Sequence, residues 1–172
     1  YLEAWPEHEW RLRDEMERKL HCVPKSKQAD FSPAVLAEGG PLLLVGEQGI
    51  GDTLQFIRYV KVLQVKGVQF SLCLPEKLHA IARSSFPRLE LLTPEEGGYW
   101  SSGRWLSLMS IPGLLQEQPQ SPLVREPYIQ VEPVHVASWR NHLSVGRKEQ
   151  AHPLVALNWQ GNPAAEVGPL KG

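Results

Sequence analysis

The sequence predicts an α/β domain, with a Rossmann-like, mostly parallel sheet and flanking helices. Short apolar runs that suit strands covered on both faces alternate along the chain with amphipathic helical patterns, an order typical of parallel sheets. The clearest unit runs from Leu42 to Leu74 and is interpreted as strand, glycine-rich turn, helix and strand. Such a unit joins two parallel strands by a right-handed crossover.

Local signals support each part of this unit. Residues 42–45 are a continuous apolar run, and residues 68–74 alternate between apolar and polar side chains. Apolar side chains recur at helical spacing between them, and residues 66–67, Lys-Gly, suit the end of a helix. Asp52 is predicted to be the N-cap of that helix, with Gln55 completing a capping box.

The chain before this unit predicts one helix and a linker. The helix spans about Pro6 to Leu20, and we expect it to pack on another part of the protein because a lone helix of this length is marginal in water. Its sparse apolar stripe consists of Trp5, Leu12, Met16 and Leu20. Residues 23–41 are polar and contain several Pro and Gly, so we expect a linker with one helical turn near residues 34–36.

The chain after this unit predicts shorter elements in the same alternation. The expected strands are residues 89–92, 105–109, 128–131 and 154–159, and the expected helices are residues 75–84 and 134–143. Residues 93–103 are expected to form a loop, and its Tyr99 and Trp100, together with Trp105, either stack on a ligand ring or fill the core. Ligands bind beyond the carboxyl ends of parallel strands, so residues 46–52 and 160–163 are the candidate binding loops.

Composition excludes several classes of protein. The 172 residues are 42% apolar and 22% charged, as in soluble globular proteins, and the net charge of -1 gives no footprint for nucleic acid. No apolar run approaches the ~20 residues that span a bilayer, and no signal peptide is recognisable, so we expect a cytoplasmic protein without a membrane span. Neither the two cysteines nor the six histidines have metal-ligand spacing, which predicts no metal site.

Residues 46–53, GEQGIGDT, fit the spacing of a phosphate-binding P-loop at every position except one. Asp52 occupies the position of the lysine that reaches the nucleotide phosphates, and a carboxylate there would repel them. This excludes an ATPase or GTPase. Leu54 occupies the position of the third glycine of the dinucleotide fingerprint, which argues against a nicotinamide enzyme.

What remains is a turn whose glycines let a ligand approach the backbone closely. The residues leave two interpretations of Asp52 open. It either only caps the helix, which is worth ~1 kcal/mol, or it also accepts a proton or hydrogen bond from a substrate hydroxyl. Gln48 either faces a ligand in this turn or only shapes the loop.

Four stretches of the chain together resemble a known family. They are AWPEHEWR (4–11), GEQGIGDTLQFIRY (46–59), LSLMSIP (106–112) and LNWQGNP (157–163). In this order and spacing they resemble the glycosyltransferase-like domain that follows tetratricopeptide repeats in many bacterial proteins. That domain is related to the heptosyltransferases and has the two-lobed GT-B fold.

The resemblance implies a division of the chain into four parts. Residues 1–22 would be the helix that ends a tetratricopeptide-repeat region, and residues 23–41 would be the linker. Residues 42–150 would be the Rossmann-like N-terminal lobe, which binds the acceptor. Residues 151–172 would be the first strand and turn of an incomplete C-terminal lobe, which binds the donor. A complete transferase of this kind is expected to be considerably longer.

The resemblance also implies transfer of a sugar from a nucleotide-sugar to an acceptor hydroxyl. The nucleotide-sugar is then a co-substrate and no separate cofactor is needed. The other expected partners are a sugar or protein acceptor and a protein bound by the repeat region.

Particular residues of this chain match the family's functional positions. In the related enzymes the Asp of the first Gly-Asp turn is the proposed base, which here is Asp52. The other residues of that turn that we predict to bind substrate are Gln48, Gly49, Gly51 and Thr53. Gly161 and Asn162 match the start of the region that holds the donor diphosphate. After Pro163 the chain departs from the pattern, because it reads AAEVGPLKG where many relatives have a polar His and Asn-Asp cluster.

Two other functions stay open. The chain is alternatively a non-catalytic binding or scaffold module that keeps the acceptor lobe and a repeat-type protein contact. It is also compatible with a small-molecule-binding α/β protein unrelated to sugar transfer, although that leaves the LNWQGNP match unexplained. A downstream lobe with a polar donor site would favour the enzyme over the module.

Overall fold

A four-stranded sheet, parallel throughout, organises the described part of the chain. The computed structural model describes residues 2–13, 23–47, 49–144 and 155–157. The chain divides into two compact units, residues 1–133 and 134–172. The sheet lies in the first unit, and its spatial order is β3-β2-β1-β4, with every neighbouring pair parallel. Its strands are β1 (Leu42–Val45), β2 (Phe70–Cys73), β3 (Leu91–Leu92) and β4 (Arg104–Ser107). The predicted α/β, Rossmann-like fold is confirmed.

Short helices and 3-10 turns connect the strands. The α-helices are α1 (Ala4–His8), α2 (Ile50–Phe56), α3 (Tyr59–Val65), α4 (His79–Ser85), α5 (Pro94–Gly98), α6 (Ile111–Leu114) and α7 (Pro133–Ser144). The 3-10 turns are Glu9–Arg13, Lys25–Lys27, Pro33–Leu36, Glu76–Leu78 and Leu108–Ser110. Helix α7, predicted over residues 134–143, belongs almost entirely to the second unit.

The predicted crossover between β1 and β2 is present, but its helix is divided into α2 and α3. The break is a turn at residues 57–58, where the Val60 N–H bonds to the Ile57 carbonyl, three residues back. The predicted apolar face survives the break, since Ile57, Val60 and Leu63 are fully buried. Gly67 has a φ of 73° just after the helix, as its sequence position predicts.

Both faces of β1 are covered, which explains its unbroken apolar run. Leu42 and Leu44 belong to one hydrophobic cluster, and Leu43 and Val45 belong to a second one on the other face. Alternate side chains of a strand point to opposite faces, so each side of the sheet receives its own layer. Each fully buried side chain of this size contributes roughly 1.5–3 kcal/mol. Cys73 lies in the second cluster as a buried small side chain.

The N-terminal segment, residues 2–13, docks on the sheet unit. The Trp5 indole N–H donates to the Glu117 carbonyl at 3.3 Å, and Leu12 is buried. Gly113 permits this approach, because a Cβ there would lie 3.0 Å from Trp5 Cβ. Two of the four predicted stripe residues therefore have partners. Residues 14–22, which hold the other two, lie outside the described residues.

The segment predicted as a linker, residues 23–41, packs against β4. Its Gln28 forms a parallel bridge with Trp105, and the Ala29 N–H donates to the Trp105 carbonyl at 2.9 Å. The Trp105 indole N–H donates to the Pro24 carbonyl at 2.9 Å. Backbone groups of this segment thus form hydrogen bonds with polar groups of Trp105 at the edge of the sheet. The Pro and Gly content of the segment did not indicate this pairing. The helical turn expected near residues 34–36 is present as Pro33–Leu36.

The segments at residues 93–103 and 128–131 differ from the prediction. Residues 93–103 were expected to be a loop, but they begin with α5, because Thr93 and Glu96 form a reciprocal capping box around Pro94. Residues 128–131 were expected to be a strand and are not one. They bond instead to helices, since the Tyr128 hydroxyl donates to the Leu54 carbonyl at 3.0 Å and the Gln130 N–H donates to Ser85 Oγ at 2.9 Å.

The strand expected at residues 154–159 is described only in its middle. Residues 155–157 form no strand, and Val155 and Leu157 are exposed. This differs from the buried strand that the apolar run predicts. Residues 154 and 158–159 lie outside the described residues.

Candidate functional site

The strand order places a switch point between β1 and β4. The chain runs from β1 outward to β2 and β3, and then returns to the other side of β1 with β4. In open parallel sheets, ligands bind in the crevice beyond the carboxyl ends of the two strands at such a point. Residues 46–52 follow β1 here, as predicted, and the 3-10 turn Leu108–Ser110 follows β4.

Asp52 lies in the first turn of α2, but not at its N-cap. The N-cap is Gly49, three positions earlier, with an extended backbone of φ -82° and ψ 167°. Asp52 Oδ2 reaches back and accepts a hydrogen bond from the Gly49 N–H at 3.2 Å. The predicted cap position was therefore wrong, although the carboxylate does stabilise the helix start by this bond and by its charge.

The turn brings four of the predicted site residues together. Thr53 is buried, and its hydroxyl donates to the Gly49 carbonyl at 3.2 Å, so this hydroxyl is used within the turn. Gly49 and Gly51 are exposed, and Asp52 is half-buried. Within the described chain, Asp52 Oδ1 accepts no hydrogen bond. One carboxylate oxygen is thus anchored and the other can accept a ligand hydroxyl.

The remaining predicted site residues are not described. Gln48, Gly161 and Asn162 lie outside the described residues, so their roles in substrate and donor binding stay predictions.

Gly46 packs where β1 meets α2. A Cβ at this position would lie 3.1 Å from Leu74 Cδ2 and 3.2 Å from Thr53 Cγ2. We expect Gly46→Ala to lower the free energy of unfolding by about 1–3 kcal/mol through overpacking, as measured by urea denaturation. Gly51→Ala is the matched control, because nothing lies within 4 Å of its would-be Cβ. An equal effect of the two changes would contradict this packing role.

A buried polar cluster at the switch point was not anticipated from the sequence. We call it the Arg11 cluster; it comprises Glu9, Arg11, Glu47, Ser107 and Ser110. Glu47 follows β1, and its side chain is fully buried. Arg11 Nη2 donates to Glu47 Oε1 at 2.6 Å and Arg11 Nε donates to the same oxygen at 3.1 Å. The Ser107 hydroxyl, at the end of β4, also donates to that oxygen.

Arg11 joins the two sides of the crevice to the N-terminal segment. Its Nη2 also donates to Ser107 Oγ and Ser110 Oγ, both at 3.1 Å. Its Nη1 donates to Glu9 Oε1 and to the His8 carbonyl, both at 2.8 Å. Ser110 Oγ donates in turn to Glu9 at 2.8 Å. One cation and two carboxylates therefore share this crevice, and their hydrogen bonds offset much of the cost of burying charge.

The sequence indicated the positions of only some members of the Arg11 cluster. Glu47 lies two residues after a buried strand, and Ser110 directly follows the strand expected at residues 105–109, so the places of these two at the sheet edge were predictable. Ser107 was expected within that strand, but it is the last residue of β4. Arg11 lies 36 residues before Glu47, and no local pattern connects the two.

His8 borders the cluster and is expected to make its stability depend on pH. Burial and the adjacent Arg11 guanidinium lower the pKa of His8 from 6.5, and Glu9 and Glu47 partly offset this. Its Nδ1 lies 2.9 Å from Arg11 Nη1, which can only donate, so this nitrogen acts as an acceptor in the neutral ring.

We expect the free energy of unfolding to fall as pH drops below about 6.5. The unfolded chain takes up a proton at His8 in that range, and the folded chain resists it until the pH passes the lowered pKa. Urea denaturation at pH 7.5 and 5.5 measures the effect, and His8→Asn is the control because its amide oxygen can accept the same bond without titrating. The same pH dependence in the variant would contradict the role of His8.

The aromatic side chains at residues 99 and 105 differ in burial, and Arg58 forms a local hydrogen bond. Trp105 is 2% exposed and belongs to the core, whereas Tyr99 is 82% exposed. Arg58, in the turn between α2 and α3, donates to the Gln55 carbonyl at 2.7 Å. Within the described ranges, no group of three His, Cys, Asp or Glu side chains is placed to hold a metal ion. None of the described helices is long and apolar enough to cross a membrane.

Comparisons with models of protein families, with curated proteins and with solved structures found no match. What this edge of the sheet binds is therefore inferred from its residues and their geometry. The arrangement offers a half-buried carboxylate on Asp52, exposed glycine backbone beside it, and the buried Arg11 cluster at the neighbouring strand ends.

Proposed function

We propose that this chain carries the acceptor lobe of a glycosyltransferase, which moves a sugar from a nucleotide-sugar to an acceptor hydroxyl. The supporting observation is the place of Asp52, in the first turn of the helix after β1 and at the switch point of the sheet. A half-buried carboxylate there can meet both a ligand and solvent.

The proposed reaction uses Asp52 as the base. The acceptor oxygen attacks the anomeric carbon, the bond from that carbon to the diphosphate oxygen breaks, and nucleoside diphosphate leaves. The acceptor proton passes to the Asp52 oxygen that the Gly49 N–H does not hold. A carboxylate is a weak base, so the proton moves late, once the attacking oxygen has lost electron density.

The proposal assigns further roles by resemblance. The exposed backbone of Gly49 and Gly51 and the side chain of Gln48 would contact the acceptor. Gly161 and Asn162 would begin the donor diphosphate site. A cytoplasmic location and a protein partner bound through a repeat region belong to the same proposal.

The Arg11 cluster favours a second candidate, a non-catalytic binding or scaffold module. The crevice between the ends of β1 and β4, where a ligand of a parallel sheet binds, is filled here by Arg11 from the N-terminal segment. A side chain held by Glu47, Ser107 and Ser110 leaves less room for substrate at this point. A lobe that no longer turns over substrate can keep such a contact for stability.

The experiment that separates the two candidates uses the full-length protein. It is incubated with each member of a panel of nucleotide-sugars, alone and with sugar and protein acceptors, and analysed by mass spectrometry. An acceptor heavier by one sugar residue, with release of nucleoside diphosphate, supports the enzyme. Absence of both products from every combination contradicts it and favours the module.

A further inference from the structure

An open groove lies along helix α3, away from the glycine turn. One wall consists of Lys61, Val62, Val65 and Lys66, and the other consists of residues 123–126, which form no helix or strand. We call it the α3 groove; its volume is about 450 Å³. Val65 is 86% exposed and Leu123 is 43% exposed, so apolar side chains on both walls face solvent.

Positive charge surrounds this apolar surface. Lys61 and Lys66 lie on the helix wall, and Arg125 lies on the opposite wall. All three are exposed, and with respect to the described residues none of their side chains makes an ion pair or hydrogen bond. Glu126, beside Arg125, is the one acid of the groove lining. The groove therefore combines exposed apolar side chains with a net excess of cations that have no ion pair among the described residues.

We propose that the α3 groove binds an acidic amphipathic helix of a partner protein. Apolar side chains at helical spacing would cover Val65 and Leu123, and carboxylates on the flanks of that helix would meet Lys61, Lys66 and Arg125. Complementary charge of this kind favours the correct partner and speeds association. Cations stand on both walls, which suits a ligand with acids along two flanks better than one with a single anionic group. This inference does not depend on sugar transfer.

The test is a fluorescence-anisotropy titration of the full-length protein with a labelled designed peptide. The 15-residue peptide has leucines at positions spaced by three and four residues and glutamates at most other positions. Its controls are a peptide with lysines in place of the glutamates and a scrambled peptide of the same composition. We expect the acidic amphipathic peptide to bind at least tenfold more tightly than either control, and more weakly at high salt.

Variants locate the binding. The double variant Lys61→Glu with Lys66→Glu should weaken binding about tenfold or more, and Val65→Asp should do the same without a change in melting temperature, because Val65 is exposed. Lys77→Glu reverses an equivalent exposed charge outside the groove and should bind the peptide like the wild type.

Three outcomes would overturn the proposal. They are equal binding of the scrambled peptide, no measurable binding of the acidic peptide, and binding that the groove variants leave unchanged. A parallel titration with laurate covers the alternative of a small anionic amphiphile. If laurate binding is lost in the groove variants while peptide binding is not, the groove takes an amphiphile and the proposed partner helix is wrong.

Discussion

Arg11→Ala is expected to lower the free energy of unfolding by about 3 kcal/mol. The Arg11 side chain is 11% exposed and the Glu47 side chain is 0% exposed, so the change leaves a buried carboxylate without its cation. Ser107 still donates to Glu47, which keeps the loss below that of a carboxylate with no donor at all. At roughly 2–4 °C per kcal/mol for a chain of this size, the melting temperature should fall by about 6–12 °C.

Arg13→Ala is the matched control for this change. Arg13 lies on the same 3-10 turn, but it is exposed, with its guanidinium 3.6 Å from the ring centroid of Trp10. Its removal should cost less than about 1 kcal/mol, as for other exposed cation–π contacts. If the two variants lose the same stability, the Arg11 cluster does not hold the N-terminal segment on the sheet unit.

A double change tests the cause of the loss. Replacing Arg11 and Glu47 together with Met removes both charges and keeps apolar volume in the crevice. Exchange of a buried ion pair for apolar side chains is often neutral or stabilising, so this variant should be clearly more stable than Arg11→Ala alone. A double variant that is less stable than the single one would show that hydrogen bonding within the cluster, and not the buried charge, dominates.

Most of the fold followed from local sequence patterns. The run Leu42–Val45 and the helical spacing after it indicate a strand covered on both faces and a crossover helix, and both are present. The helix end predicted at residues 66–67 is also confirmed, since Gly67 adopts the left-handed conformation. These features depend on neighbours within a few residues, where periodicity and backbone preference are informative.

The errors arose where distant contacts decide the structure. Residues 23–41 looked like a linker, but their backbone pairs with Trp105 of the edge strand β4 through a bridge and a hydrogen bond. Residues 128–131 were expected to be a brief strand, but Tyr128 and Gln130 bond to helices. Local composition cannot show which edge or helix a segment will meet.

The candidate site was predictable to a similar extent. The place of residues 46–52 at the carboxyl edge follows from the order of strand and helix, and it is confirmed. The N-cap was misplaced because Gly49 can adopt the extended cap conformation, after which Ile50 and Gly51 already belong to the helix. The Arg11 cluster could not be predicted, because it needs the N-terminal segment to fold back over the sheet edge.

Asp52→Asn is expected to separate helix stabilisation from catalysis. The amide oxygen of Asn can accept the Gly49 N–H bond that Asp52 Oδ2 accepts now. The stability loss should therefore be limited to the interaction of the charge with the helix dipole, about 0.3–1 kcal/mol. Asn cannot take up a proton, so sugar transfer by the full-length protein should fall by about 10²–10⁴-fold if Asp52 is the base.

Asp30→Asn provides the matched control for this experiment. It removes the same charge from an exposed position between two 3-10 turns, outside the glycine turn, and should change neither turnover nor melting temperature. Both variants are compared with the wild type using the donor and acceptor that the panel identifies. A collapse of turnover in Asp52→Asn alone, with a melting temperature within a few degrees of the wild type, supports proton acceptance. Turnover equal to that of the wild type would leave Asp52 with a helix-stabilising role only, and a transferase would then need another base.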